Sequence, residues 1–269
     1  MTDEELYLFD TLGFLKVEAM IDKATTAKAF EATEEIVENC SHLYKDSGYG
    51  DKYPGAFLYD KVLERIPRSP KMLKYACELL NNMPRLTGGG LMINGASHTE
   101  HGFHGQKEIN WYRVENAPGF YSSFETRSIF CDLFFIAVYF TDVEPGDGGL
   151  VVLPGSHKST FVYPKKDSPK ALDSLGAVNI PVKAGDAIIM PLRLLHAAFK
   201  WVPEDRDRRC IFYTFVPQDT YRGNMEEVAT AREHGIELDE ETVELMEMRE
   251  KGLQPSFKKI VEQFVPAES

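Results

Sequence analysis

Residues 138–161 read VYFTDVEPGDGGLVVLPGSHKSTF, and the fold class turns on them. Val138, Tyr139, Phe140 and Thr141 are β-branched or aromatic, the composition that suits a pleated, half-buried surface. Pro145, Gly146, Asp147, Gly148 and Gly149 supply turn chemistry, with glycines free to take positive φ. Residues 150–153 form a second apolar run, which Pro154, Gly155 and Ser156 break ahead of His157 and Lys158. The stretch predicts two strands joined as a hairpin by a tight polar turn.

Outward from this stretch the same grammar recurs. Residues 111–114, 129–140, 178–182, 187–190 and 211–216 read as further short strands separated by turn signals, the pattern of a sandwich or jelly roll. The segment 116–127 predicts a loop longer than a hairpin needs, and 48–59 an irregular aromatic loop with Gly and Pro. Helical spacing marks 2–10 with Thr2 as N-cap, 22–44, and 69–83 with Ser69 as N-cap and Pro70 at the first position. It returns after Pro217 to about residue 264, with an apolar stripe at Val243, Leu245 and Met246. The expected architecture is one α+β domain over 1–269: a helical part to about 85, a β core to about 217, and a helical extension beyond.

Composition narrows the function. A net charge of −12 leaves no basic surplus to neutralise phosphates and argues against a nucleic-acid partner. No apolar run approaches the roughly 20 residues that span a bilayer, and the start MTDEE is acidic where a signal peptide is basic, so a cytoplasmic protein off the membrane is expected. Cys40, Cys77, Cys131 and Cys210 lack CxxC pairing and read as free thiols. Gly88, Gly89 and Gly90 invite a phosphate-loop reading, but no GK[ST] follows them.

The chemistry-bearing residues lie in the β half. His98, His101 and His104 fall within SHTEHGFHGQ beside Glu100. In an extended segment, residues of one parity face one side, so His98, Glu100, His104 and Gln106 are expected to share a face and His101 to point away. A remote His196 on another strand would complete a two-histidine, one-carboxylate metal site with open positions for a cosubstrate and O2. Arg208 and Arg209 open the strand CIFYTFVP, and one of them can reach inward to bind the carboxylate of a 2-oxo acid.

The segments FDTLGFLKV (9–17), TDVEPGDGGLVVLPGSHKSTF (141–161), VKAGDAIIM (182–190) and LLHAAFKWVPEDRDRRCIFYTF (194–215) together resemble the phytanoyl-CoA dioxygenase family. Its members are non-haem iron(II), 2-oxoglutarate-dependent oxygenases built on a double-stranded β-helix. The resemblance implies Fe(II), 2-oxoglutarate and O2 as reactants alongside a small-molecule substrate. It makes His196 the distal iron ligand and Arg208, with Arg209 as alternate, the partner of the far 2-oxoglutarate carboxylate. The first ligand motif of the family is His-x-Asp, and here the chain departs from it. His98-Thr99-Glu100 matches its chemistry as His-x-Glu, whereas His104 better matches its position but has Gln106 two residues on. His104 is taken as the ligand with Glu100 as carboxylate, and His98 as the rival. Hydroxylation is the implied outcome. Gln106 raises a halogenase-like variant as an alternative, and a jelly-roll binding protein that has lost iron is the other.

Overall fold

The turn chemistry of 145–149 falls where expected, but the strands on either side of it do not pair with each other. The structure, a computed structural model, describes residues 1–105, 120–159, 161, 163–164, 176–218 and 225–247. In chain order these hold α1 (Asp3–Leu12), β1 (Leu15–Val17), α2 (Lys23–Asn39), β2 (Lys45–Asp46), β3 (Asp51–Tyr53), α3 (Lys61–Arg65) and α4 (Pro70–Leu79). The strands β4 (Pro84–Asn94), β5 (His101–His104), β6 (Phe120–Ser123), β7 (Ser128–Cys131), β8 (Phe134–Tyr139) and β9 (Gly149–Val152) follow. Last come β10 (Val178–Asn179), β11 (Ala187–Pro191), β12 (His196–Phe199), β13 (Arg208–Pro217), α5 (Glu226–Glu233) and α6 (Glu240–Met246).

β8 belongs to a seven-stranded antiparallel sheet of order β1-β11-β8-β13-β4-β3-β2, and β9 to a four-stranded sheet of order β10-β9-β12-β5. The expected hairpin is therefore a crossover between two layers. Its physical cause is that both runs are apolar on both faces, so each strand needs covering on two sides. Along β8, Phe134, Ile136 and Val138 pack into the core shared with the helices. Phe135, Ala137 and Tyr139 face the opposite way, into the core between the sheets. β11 divides in the same way, with Ala187 and Ile189 outward against Ile188 and Met190 inward. Helices thus cover one face of the large sheet and the small sheet covers the other, the jelly-roll arrangement expected.

Several boundaries move. The triple glycine lies inside an eleven-residue strand, β4, because its full-length pairing with β13 supplies the ladder that glycine propensity disfavours. The expected loop 48–59 contains β3, the long loop 116–127 contains β6, and the run 129–140 divides into β7 and β8. The strand at 111–114 and the helical extension past 247 lie outside the described residues. The four cysteines are free, and among the described residues no helix is long and apolar enough to cross a membrane.

The family segments 9–17 and 141–161, remote in sequence, are in contact. α1 opens on a capping box between Thr2 and Glu5 and closes on Gly13, whose φ of 80° is left-handed. The amide of Gly155 donates to Leu12 O, and His157 Nε2 donates to Asp10 O at 3.1 Å. His157 is fully buried, and burial pushes its imidazole down to about 4. A Cβ on Gly13 would stand 2.3 Å from the His157 ring. Gly13→Ala therefore meets a left-handed backbone cost of about 1–2 kcal/mol and must also move a packed ring. An overall loss of more than about 2 kcal/mol is expected, read as a lower urea midpoint with an unchanged m-value.

Candidate active site

β5 pairs with β12 so that His104 lies directly opposite His196, while His101 lies opposite Ala198. Three residues of β5 thus span two of β12, which is a bulge: one extra residue is looped out and the side-chain alternation slips. The slip brings His101 and His104 onto one side. Their ring centroids are 4.5 Å apart, and those of His104 and His196 are 4.0 Å apart. All three rings line a cavity of about 500 Å³ between the sheets, with Arg208, Asn94 and Phe135 among its other walls.

The parity expectation for 98–106 is corrected by this geometry. The strand begins only at His101, so His98 and Glu100 precede it in non-strand backbone. His98 turns to the chain before it, with Nδ1 accepting from the Gly95 amide at 2.8 Å and Nε2 facing Asp51 at 3.4 Å. Glu100 is exposed, and neither residue lines the cavity. Gln106 lies outside the described residues. His101, expected to point away, is in the cavity and stacks on Tyr49 at 4.0 Å. Three histidines in seven residues marked the segment, but the bulge that selects among them has no signature in its sequence.

The two facing imidazoles each keep a donor nitrogen free. His196 Nδ1–H donates to Leu194 O at 2.7 Å and His104 Nδ1–H donates to Gly102 O at 3.2 Å. Each ring is held in the tautomer that leaves Nε2 with its lone pair free. Burial lowers both protonation equilibria, that of His196 to about 3, so both rings are neutral at physiological pH. Among the described residues, no group of three or more His, Cys, Asp or Glu converges to hold a metal ion. The protein donors that fit a metal here are these two imidazoles.

The structure separates the two arginines. Arg209 leaves the cavity and makes a bidentate pair with Asp207, at 2.9 Å in both arms, with its plane 4.8 Å over Phe30. Arg208 points inward and is only 3% exposed. It meets Cys210 Sγ at 3.4 Å and the Tyr139 ring at 5.5 Å, and its Nε has no partner among the described residues. A buried guanidinium without a carboxylate among the described residues has donors that could receive an anion. Gly149 makes room for it, since a Cβ there would sit 3.1 Å from Arg208 Cδ. The glycine-rich turn therefore serves the site as well as the fold.

A jelly roll whose inter-sheet cavity brings facing imidazoles together with a buried arginine that has no ion-pair partner among the described residues fits the class of iron(II)/2-oxoglutarate oxygenases. The phytanoyl-CoA dioxygenase (PhyH) family model matches residues 9–210, and the chain belongs to that family. It is an oxidoreductase of the class that uses Fe(II), 2-oxoglutarate and O2. No curated protein matches the sequence. Among solved structures, HygX from Streptomyces hygroscopicus, crystallised with nickel and 2-oxoglutarate, is similar at 20% identity. That match covers 83% of this chain and 89% of HygX with a TM-score of 0.69. EctD from S. alaskensis, with 2-oxoglutarate and 5-hydroxyectoine, is similar at 16% identity over 82% of this chain and 77% of its own, TM-score 0.65. The carbocyclase SnoK from nogalamycin biosynthesis is similar at 16% identity over 86% and 91%, TM-score 0.62. At these identities the likeness speaks to the fold alone.

Proposed function

We propose that this protein is a dioxygenase that hydroxylates a small molecule, with His104 and His196 as the protein imidazoles on iron(II) and Arg208 as the anchor for 2-oxoglutarate. The observation that supports this reading is the convergence, in one cavity, of two rings with free Nε2 lone pairs and a buried guanidinium with no carboxylate partner among the described residues. Bound iron(II) supplies the oxidising chemistry, in which 2-oxoglutarate and O2 become succinate and CO2 as the substrate is oxidised. The protein's own part is orientation. Arg208 fixes the far carboxylate of the cosubstrate, the Leu194 and Gly102 carbonyls hold the two rings by their Nδ1–H, and Phe135, Leu150 and Phe212 keep the cavity apolar.

A second reading is favoured by one specific feature. The usual carboxylate position carries the amide Gln106, and Glu100 is exposed outside the cavity. With no carboxylate from that position the metal keeps an open coordination position that a halide can take, so activity in that case depends on chloride or bromide.

The test is turnover and binding with the intact protein. Purified protein given Fe(II) and 2-oxoglutarate in air is expected to release succinate, slowly without substrate, and His196→Ala is expected to release none. Failure of the wild type to bind 2-oxoglutarate in the presence of metal would overturn the reading. Turnover that appears only with added halide would move it to the second.

A further inference from the structure

A second cavity, of about 450 Å³, adjoins the first and shares Met92 and Phe212 with it. Strand geometry explains its shape. On β4, Asn94, Met92, Gly90 and Gly88 share one face, opposite Arg208, Cys210, Phe212 and Thr214 of β13 in register. That face begins beside Arg208 in the site described above. It then continues over two glycines that contribute no side chain, which leaves a channel along the strand. From Met92 to Gly88 it runs four residues, about 13 Å at strand rise. At its far end stands Glu227, on the first turn of α5, with its carboxylate oxygens against Gly88 and an amide hydrogen bond from Gly89. Its Oε2 is buried without a hydrogen-bond partner among the described residues.

A carboxylate desolvated in this way costs free energy that glutamine or leucine would not. The nearest cation in the cavity does not relieve it. Lys52 lines the same chamber, but its ammonium is on Tyr49 Oη and lies 4.4 Å over the Tyr49 ring. We propose that the chamber is the outer half of the substrate site, and that Glu227 receives a protonated amine of a substrate whose oxidised carbon reaches His104 and His196. The inference rests on the oxygenase reading and adds to it a substrate class: an elongated, amine-bearing small molecule. The triple glycine thereby acquires a role as the floor of the passage.

Burial raises the Glu227 carboxyl to about 7, against the Gly89 hydrogen bond and the more distant Lys45, which lower it. Lys52 and Glu226 are the other charged groups that line the chamber. Amine binding should therefore strengthen as pH rises through about 7 and Glu227 ionises.

The experiment titrates hexylamine and, as its uncharged match, hexan-1-ol into the full-length protein with Fe(II) and 2-oxoglutarate under anaerobic conditions. At pH 8 the amine is expected to bind at least about tenfold more tightly than the alcohol, the discrimination of one charge-assisted hydrogen bond. Glu227→Gln should erase that preference, and lowering the pH to 6 should erode it in the wild type. Gly90→Leu, whose Cβ meets only ordinary contacts at 3.9 Å, should block both ligands by filling the passage. Equal binding of amine and alcohol to the wild type overturns the proposal, including where Lys52 has swung onto Glu227 in solution. So does a preference that survives in Glu227→Gln. Binding of 2-oxoglutarate to the wild type is measured in the same samples: its absence defeats the oxygenase reading, whereas its presence without amine preference defeats only the chamber.

Discussion

Arg208→Met is expected to weaken 2-oxoglutarate binding by at least roughly 100-fold while leaving the protein at least as stable as the wild type. The two effects have one cause. The guanidinium is buried, its Nε is unpartnered among the described residues, and its nearest contacts are a thiol and the Tyr139 ring, weak compensation for a charge removed from water. Replacing a buried ionic group with an apolar one of similar volume is commonly neutral or stabilising by about 1–4 kcal/mol. For a chain of this size each kcal/mol corresponds to roughly 2–4 °C in Tm. The cosubstrate loses a desolvated charge-assisted pair worth about 3–5 kcal/mol, so its affinity should fall by roughly 100- to 4,000-fold. Calorimetric titration of 2-oxoglutarate and a thermal melt with and without it read both. Arg209→Met is the control: it breaks the pair with Asp207 and should lower stability slightly with 2-oxoglutarate affinity unchanged. A wild-type affinity in Arg208→Met, or a loss in Arg209→Met, would remove Arg208 from the site.

The choice between these arginines shows what could be read in advance. Adjacent strand residues face opposite ways, so one inward arginine followed from alternation alone. Which one it is depended on the register of β13 against β4 and on space beside Gly149, neither visible in local sequence. The same division runs through the fold. Apolar runs and glycine turns gave strand positions in the β half. They could not tell a hairpin from a crossover at 138–152, because that depends on what covers the second face of each strand. In the histidine segment, alternation favoured His98 and Glu100 as companions of His104. A single bulge moved His101 into the cavity, and the later strand start left the other two outside it. Glu227 carried no sequence signal, since a glutamate in a helical first turn is ordinarily solvated. It became notable only when β4 placed glycines beside it.

That ambiguity among the histidines yields the last expected result. Removing His104 or His196 should cut metal affinity by more than roughly 100-fold, beyond the 10- to 100-fold typical of losing only a residue that orients a ligand. Removing His98 or Glu100 should leave it unchanged. The argument is one of lone pairs. His104 and His196 turn Nδ1–H to a backbone carbonyl and keep Nε2 for the cavity. His98 uses Nδ1 to accept the Gly95 amide and has Nε2 against Asp51, so neither nitrogen addresses the site. With His104 and His196 as the proposed donors, loss of either leaves a single protein ligand, and the double variant should be little worse than each single one. His101→Ala is the informative intermediate. Its ring is within 4.5 Å of His104 but is stacked on Tyr49, so a modest loss, below about tenfold, fits a ring that supports its neighbour. Competition for Fe(II) against a chelator, followed across the five single variants and the double one, measures all of this without any substrate. A fall in His98→Ala or Glu100→Ala equal to that in His104→Ala would return the metal to the His-x-Glu pair. It would require the segment before β5 to rearrange, since neither side chain lines the cavity where His104 faces His196.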